Sequence, residues 1–161
     1  MPICLPIAMQ ARVFTDILSN AHNRAILDRW SALALPDGWL VAGCLFQTVW
    51  NLQAGRAPEA DIKDYDLFYF DAGDTSEAVE RDAQARTHEV LGDLGVTIKA
   101  SNQARVHLWY ESHFGQPYAG ACAACVTAST ASWFPPPVSV SDPANSTHPM
   151  ALRCCTTVCW R

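Results

Sequence analysis

Charge is scarce in this chain. Only 17% of its residues are Asp, Glu, Lys or Arg, and 11 basic side chains face 16 acidic ones, for a formal net charge of −5. That deficit of cations argues against a broad polyanion-binding surface, so no extended nucleic-acid interface is expected. No apolar run approaches the roughly 18 residues that cross a bilayer. The opening Met-Pro-Ile-Cys-Leu-Pro lacks the basic start and cleavage pattern of a secretory signal. The expected setting is therefore the cytoplasm, with no membrane partner. Internal repeats are absent as well. What remains is 161 residues, half of them apolar, which excludes wholesale disorder. One domain of this size buries a sizeable core without a disulfide or metal staple. Seven cysteines, an odd number, are expected to be mostly thiols or metal ligands.

The scarcity is uneven. Of the 27 charged residues, 24 lie within the first 118 positions, and the last 43 hold only Asp142, Arg153 and Arg161. The same 43 residues carry five of the seven cysteines and five of the ten prolines. Stretches such as Val126–Trp133 and Pro135–Asp142 show neither a helical nor a strand period with an apolar face. The division expected is a folded domain over 1–118 and a poorly ordered tail over 119–161.

Within the front part, Thr15 to Leu35 fits a helix, with Leu18, Ala21, Ala25 and Leu33 on one side and Pro36 to Gly38 ending it. Trp39 to Ala42 reads as a short strand running into Gly43, and Cys44 to Leu52 as a helix. Tyr65 to Phe70 is an aromatic-rich strand. Asp74 with Glu77 resembles a capping box opening a helix that Gly95 closes. Val96 to Ala100 and Ala104 to Tyr110 complete the strand candidates. The order implies an α/β (α+β) fold, a mixed sheet with flanking helices.

Asp64 and Asp66 open the strand at positions i and i+2, so both carboxylates project from one face. Two acids this close repel unless a cation lies between them. Mg²⁺ suits them, being a hard ion whose shell is usually completed by phosphates; surface acids at a strand entrance are the alternative. Gly43, between a strand and a helix, lets backbone N–H groups approach a phosphate, although a tight turn with no ligand has the same pattern. Asn102-Gln103-Ala104-Arg105-Val106-His107 is a third constellation. On a strand, Arg105, His107 and Trp109 would share a face, Arg105 gripping a phosphate and His107 a proton or substrate group. The alternative is an Arg paired to a nearby acid and a hydrogen-bonded His. Cys122, Cys125, Cys154, Cys155 and Cys159 could between them supply four zinc ligands, and a small zinc-binding interaction protein would rest on them alone.

Three segments in order, AGCLFQTVWN, KDYDLFYFD and NQARVHLWYE, resemble a bacterial nucleotidyltransferase-like family, NTP_transf_6, of the superfamily sharing the DNA polymerase β nucleotidyltransferase core. The resemblance spans roughly Asn20 to Tyr118. It implies that Gly43 begins the nucleotide-phosphate turn together with Cys44, and that Asp64 and Asp66 are the metal carboxylates. It further implies contacts of Asn102, Arg105 and His107 with nucleotide or acceptor. The implied activity is NTP–Mg²⁺ binding and nucleotidyl transfer to a hydroxyl acceptor. A non-catalytic nucleotide-binding or protein-interaction module of the same fold is the runner-up. Two positions depart from the pattern. Cys44 stands where Gly or Ser is usual, and the third acid of a neighbouring strand has only Glu111, just beyond, as a candidate.

The family continues with a segment resembling DGIDRFLVPTCVGIR, which this chain lacks in frame. Plausible codons for Val126 to Asp142, read from the third base, translate as DGIDRFLVPPTCVGIR. The first two bases of most of those codons are fixed by the protein. The tail therefore reads as an out-of-frame translation beginning between Tyr118 and Val126, leaving the core incomplete at its C-terminus. Such a segment has no selected hydrophobic period and is not expected to pack.

Overall fold

The structure, a computed structural model, describes residues 7–116 and 140–141. The 119–161 tail, its cysteines and the suspected frame change lie outside the described residues, apart from two of its positions. Three helices come first: α1 (Ile7–Ser19), α2 (Ala21–Asp28) and α3 (Trp30–Leu33). The single helix expected over Thr15 to Leu35 is thus interrupted. The reason is Asn20, whose side-chain oxygen accepts from the His22 and Asn23 amides at 2.9 and 3.1 Å and caps α2. An Asn in this position offers the backbone a local partner that competes with continuing the helix. A second break falls at Arg29, and Ala34 ends α3 in the left-handed region at φ 49°.

The remainder alternates strands and helices. β1 (Trp39–Val41) leads into α4 (Gly43–Gln53), then β2 (Asp64–Tyr69), α5 (Glu77–Leu91), β3 (Thr97–Asn102), a 3₁₀ turn over Gln103–Arg105, and α6 (Val106–Phe114). Strand order is β3-β2-β1-β4, where β4 is the pair Val140–Ser141. β1 runs antiparallel to both β2 and β4, while β2 and β3 are parallel. The sheet is mixed, as expected.

Burial along β2 alternates strictly: Tyr65, Leu67 and Tyr69 are buried, with less buried residues between them. That period of two sorts the sheet into two faces. Leu40, Tyr65, Leu67, Tyr69 and Ala100 pack with Ile17, Ile26, Trp30, Leu33, Leu45, Ala83 and Leu91 into one core. Every helix from α1 to α5 contributes to it, so these helices all cover the same face. Across the opposite face the register aligns Val41, Asp66 and Lys99, and beside them Trp39, Phe68 and Ser101. There Trp39 and Val41 form a small separate cluster with Ala42, Phe68 and Phe70.

Two further expectations change. The cap of α5 is Ser76, whose hydroxyl accepts from the Val79 amide at 3.4 Å, while Asp74 accepts from the Ser76 amide at 2.8 Å. Asp74 thus makes the turn before the helix rather than its cap. Gly95, at φ 68°, ends the 3₁₀ turn (Gly92–Leu94) that follows α5. Ala104 to Tyr110, expected as a strand, is instead the 3₁₀ turn and most of α6. Asn102 caps this turn by accepting from the Ala104 amide at 3.1 Å, and Gly115 closes α6 at φ 66°. The apparent alternation of Ala104, Val106 and Leu108 misled because most of α6 is not in the core: Leu108, Trp109 and Phe114 are exposed. A helix with little buried face carries little helical period.

The outer edge of β3 is closed by side chains from α5. Gln84 donates to the Ile98 carbonyl at 2.9 Å and accepts from the Ala100 amide at 2.7 Å, and Glu80 accepts from the Asn102 amide at 2.9 Å. This satisfies backbone groups that an open edge would leave unpaired.

Candidate functional site

Because β1 and β2 are antiparallel, the C-terminal end of β1 lies beside the first residues of β2: Val41 pairs with Asp66. The chain leaves β1 through Ala42 and enters α4 at Gly43. Ala42 holds φ 65° and ψ −139°, close to a region that only glycine occupies readily and that costs on the order of 1–3 kcal/mol for other residues. The strained residue thus sits at the entrance to a helix N-terminus, beside the carboxylate strand. Gly43 is exposed, and a Cβ built there meets nothing within 4 Å. The Leu45 amide bonds the Ala42 carbonyl at 3.2 Å, while the Gly43 and Cys44 amides before it have no carbonyl one helical turn earlier, and the helix dipole favours an anion there.

Asp64 and Asp66 stand on the sheet face opposite the helices, as the period of two requires. Burial pushes the Asp66 carboxyl above its ordinary range; the Asp64 charge adds to this and Lys99 opposes it. Lys99 comes from β3, directly opposite Asp66 in the parallel register, and its ammonium is ion-paired with Asp64. Asp64 raises the lysine's affinity for its proton through that hydrogen bond. Lys99 is the group that sequence reasoning missed. Its outward position on a strand was readable, but the β2–β3 register that sets it against the carboxylates was not.

Cys44 turns the other way. Its side chain is fully buried, the thiol donates to the Val41 carbonyl at 3.3 Å, and desolvation pushes its pKa up to about 12. The thiol is a core group; only the backbone amide of Cys44 belongs to the helix N-terminus.

The other three residues sit elsewhere. Asn102 pairs with Tyr69, three residues along β2 from Asp66, or about 10 Å at the usual rise per residue. It is buried, with its oxygen accepting from the Asp71 and Ala104 amides and its nitrogen donating to the Asp71 carbonyl. Arg105 leaves 13% of its side chain exposed and lies 3.2 Å from Glu80, while its Nε and Nη1 are buried without hydrogen-bond partners. His107 is exposed in the first turn of α6. Residues two apart on a helix point to different sides, so Arg105 and His107 do not share the face expected of a strand. Glu111 is exposed on α6, off the sheet altogether. The structure therefore brings together Gly43, Asp64 and Asp66, adds Lys99, and places Asn102, Arg105 and His107 at the far end of the β2–β3 pair.

The nucleotidyltransferase family NTP_transf_6 matches residues 28–134, more than half of the chain. The chain belongs to the nucleotidyltransferase family. A solved structure, described as an NMR structure that reveals a CCA-adding enzyme head domain, is similar in fold, with a TM-score of 0.56 at 22% identity. The likeness covers 73% of this chain and 57% of that one, so the chain spans little more than half of that structure's length. No curated protein matches significantly. Among the described residues no helix is long and apolar enough to cross a membrane.

Membership of the nucleotidyltransferase family implies a divalent metal, and the donor set bears on whether one fits. No group of three or more His, Cys, Asp or Glu side chains is placed to hold a metal among the described residues. Two carboxylates on one face are, however, the share a protein usually gives Mg²⁺ when phosphates complete the shell. Asp64 and Asp66 fit a metal that arrives with a triphosphate.

Proposed function

We propose that this domain binds a nucleoside triphosphate with Mg²⁺ on the face of its sheet opposite the helical core and transfers a nucleotidyl group to a hydroxyl acceptor. The observation that carries the reading is the meeting of the Asp64–Asp66 pair with the exposed N-terminus of α4 at Gly43. Asp64 and Asp66 would hold the metal, which when bound neutralises the phosphates and favours attack by a hydroxyl. Gly43 and the following amide would face the phosphate oxygens, with the dipole of α4 behind them. Arg105, His107 and Asn102 would act at the far end of the strand pair, on a more distant part of the nucleotide or on the acceptor.

Gly43 gives a test in which binding and folding separate. A methyl at Gly43 meets no protein atom, and Gly43 does not hold the positive φ that would strain an alanine. Gly43→Ala should therefore fold at least as stably as the parent in urea titrations. Its Mg²⁺–NTP affinity, measured calorimetrically, should fall by roughly tenfold or more, because the methyl occupies the approach of the phosphate. Unchanged affinity would count against the phosphate turn.

A second reading, a nucleotide-binding module without catalysis, is favoured by one observation: Lys99, not a carboxylate, faces Asp66 from the neighbouring strand. Under that reading labelled NTP binds but no labelled acceptor forms with any fraction of cell extract.

The tail is proposed to be out of frame, a reading supported by its near-absence of charge. The gene should carry one inserted or deleted base between the codons of Tyr118 and Val126. Across the codons of Val126 to Asp142 the alternative frame should read close to DGIDRFLVPPTCVGIR. Third bases that spell something unrelated would end this account of the tail.

A further inference from the structure

We infer that Lys99 is a resident counter-cation that keeps free divalent metal off the Asp64–Asp66 pair, so that metal enters together with a polyphosphate able to take over the lysine. The inference rests on reading Asp64 and Asp66 as metal ligands, and goes beyond it by making metal and phosphate binding interdependent.

Three observations lead to it. The parallel register sets Lys99 opposite Asp66, and the ammonium is paired with Asp64, so a cation already stands at this carboxylate pair. Lys99 keeps 55% of its side chain exposed and Asp64 34%, so the stem is free to swing and the pair is open to exchange. No third metal-ligating side chain joins the two carboxylates among the described residues. A bare divalent ion entering here would break the Lys99–Asp64 pair and then sit within a few ångströms of a displaced ammonium, with too few protein ligands to compensate. A metal–triphosphate complex changes both conditions. Its phosphate oxygens fill the open coordination positions, and they offer the ammonium, a mobile point charge with three donors, a new anionic partner.

The test uses the full chain and two probes, Mn²⁺ alone and a preformed complex of Mn²⁺ with inorganic tripolyphosphate. Mn²⁺ binding is followed by the electron paramagnetic resonance of the free ion, and binding of the complex by calorimetry. Lys99→Met should bind Mn²⁺ alone about tenfold more tightly than the parent, since a like charge has left the site. The same variant should bind the Mn²⁺–tripolyphosphate complex more weakly than the parent. Lys99→Arg, which keeps the charge, should follow the parent with both probes. Opposite shifts for the two probes are not the signature of a merely structural lysine. Lys99→Gln repeats the comparison should the methionine variant fail to fold.

Equal or weaker Mn²⁺ affinity in Lys99→Met overturns the inference, and undiminished affinity for the complex overturns the transfer of the ammonium to phosphate. If neither protein binds either probe, the assignment of Asp64 and Asp66 as metal ligands fails, and the role of Lys99 fails with it.

Discussion

Replacing Asn20 by alanine should destabilise the protein by about 3 kcal/mol, more than any helix cap on its surface would cost. Asn20 is fully buried. Its oxygen accepts two amides of α2, and its nitrogen donates to the Thr48 hydroxyl at 2.9 Å and the Tyr65 hydroxyl at 3.3 Å. Alanine would remove the cap, worth about 0.5–2 kcal/mol. It would also strand buried amides and hydroxyls, at about 1–3 kcal/mol for an unsatisfied group. Thr48 belongs to α4 and Tyr65 to β2, so one amide ties the helix that begins at Gly43 to the strand that carries the carboxylates. Ser76→Ala provides the contrast. That exposed cap accepts one amide at 3.4 Å, and its loss should cost at most about 1 kcal/mol. Urea denaturation of both variants checks the ranking, and comparable losses would show that Asn20 acts only as a local cap.

Much of the fold could be read from residue order because its signals are local. Trp39 to Ala42 is an apolar run short enough for a strand, and Cys44 to Leu52 is a longer run rich in Leu, Phe, Val and Trp. In β2 the period of two sets Tyr65, Leu67 and Tyr69 on one side and Asp64, Asp66 and Phe68 on the other. That Asp64 and Asp66 share one face follows from the strand period of two alone; which face carries the core does not, because Phe68 and Phe70 make the run apolar on both sides. Asn20 shows where local reading fails. Its neighbours continue a helical pattern on both sides, and only the buried partners Thr48 and Tyr65 make a break there favourable. α6 fails for the opposite reason. With Val106 its one buried residue, it has too small an apolar face for a helical period to show, and a chance alternation took its place.

The site was legible up to the strand register. Nothing in the spacing of Asp66 and Lys99, 33 positions apart, announces that they face each other across a parallel pair. The sequence allows Arg105 two roles, a phosphate ligand or a partner for a nearby acid. The structure supplies the acid, Glu80, one turn into α5, a pairing that depends on how α5 lies along the edge of β3. Cys44 was read as part of the phosphate turn, and its position in the chain is there, yet the first turn of α4 directs its thiol into the core.

The most direct test of the account is titration of a nucleoside triphosphate into the parent protein and into Asp64→Ala/Asp66→Ala, each with Mg²⁺ and again after its removal with EDTA. Both carboxylates lie on the sheet face away from the α1–α5 core, so their truncation removes no side chain of that core. A surface pair that merely decorated the strand entrance would matter little to any ligand. Ligands of a metal shared with the triphosphate are different, because each lost carboxylate removes a direct metal bond as well as a charge. The parent should bind the nucleotide only with Mg²⁺ present, and the double variant should bind it at least about 100-fold more weakly, or about 2.7 kcal/mol. Equal affinity in the two proteins, or parent binding indifferent to EDTA, would contradict the assignment of Asp64 and Asp66 as the metal carboxylates.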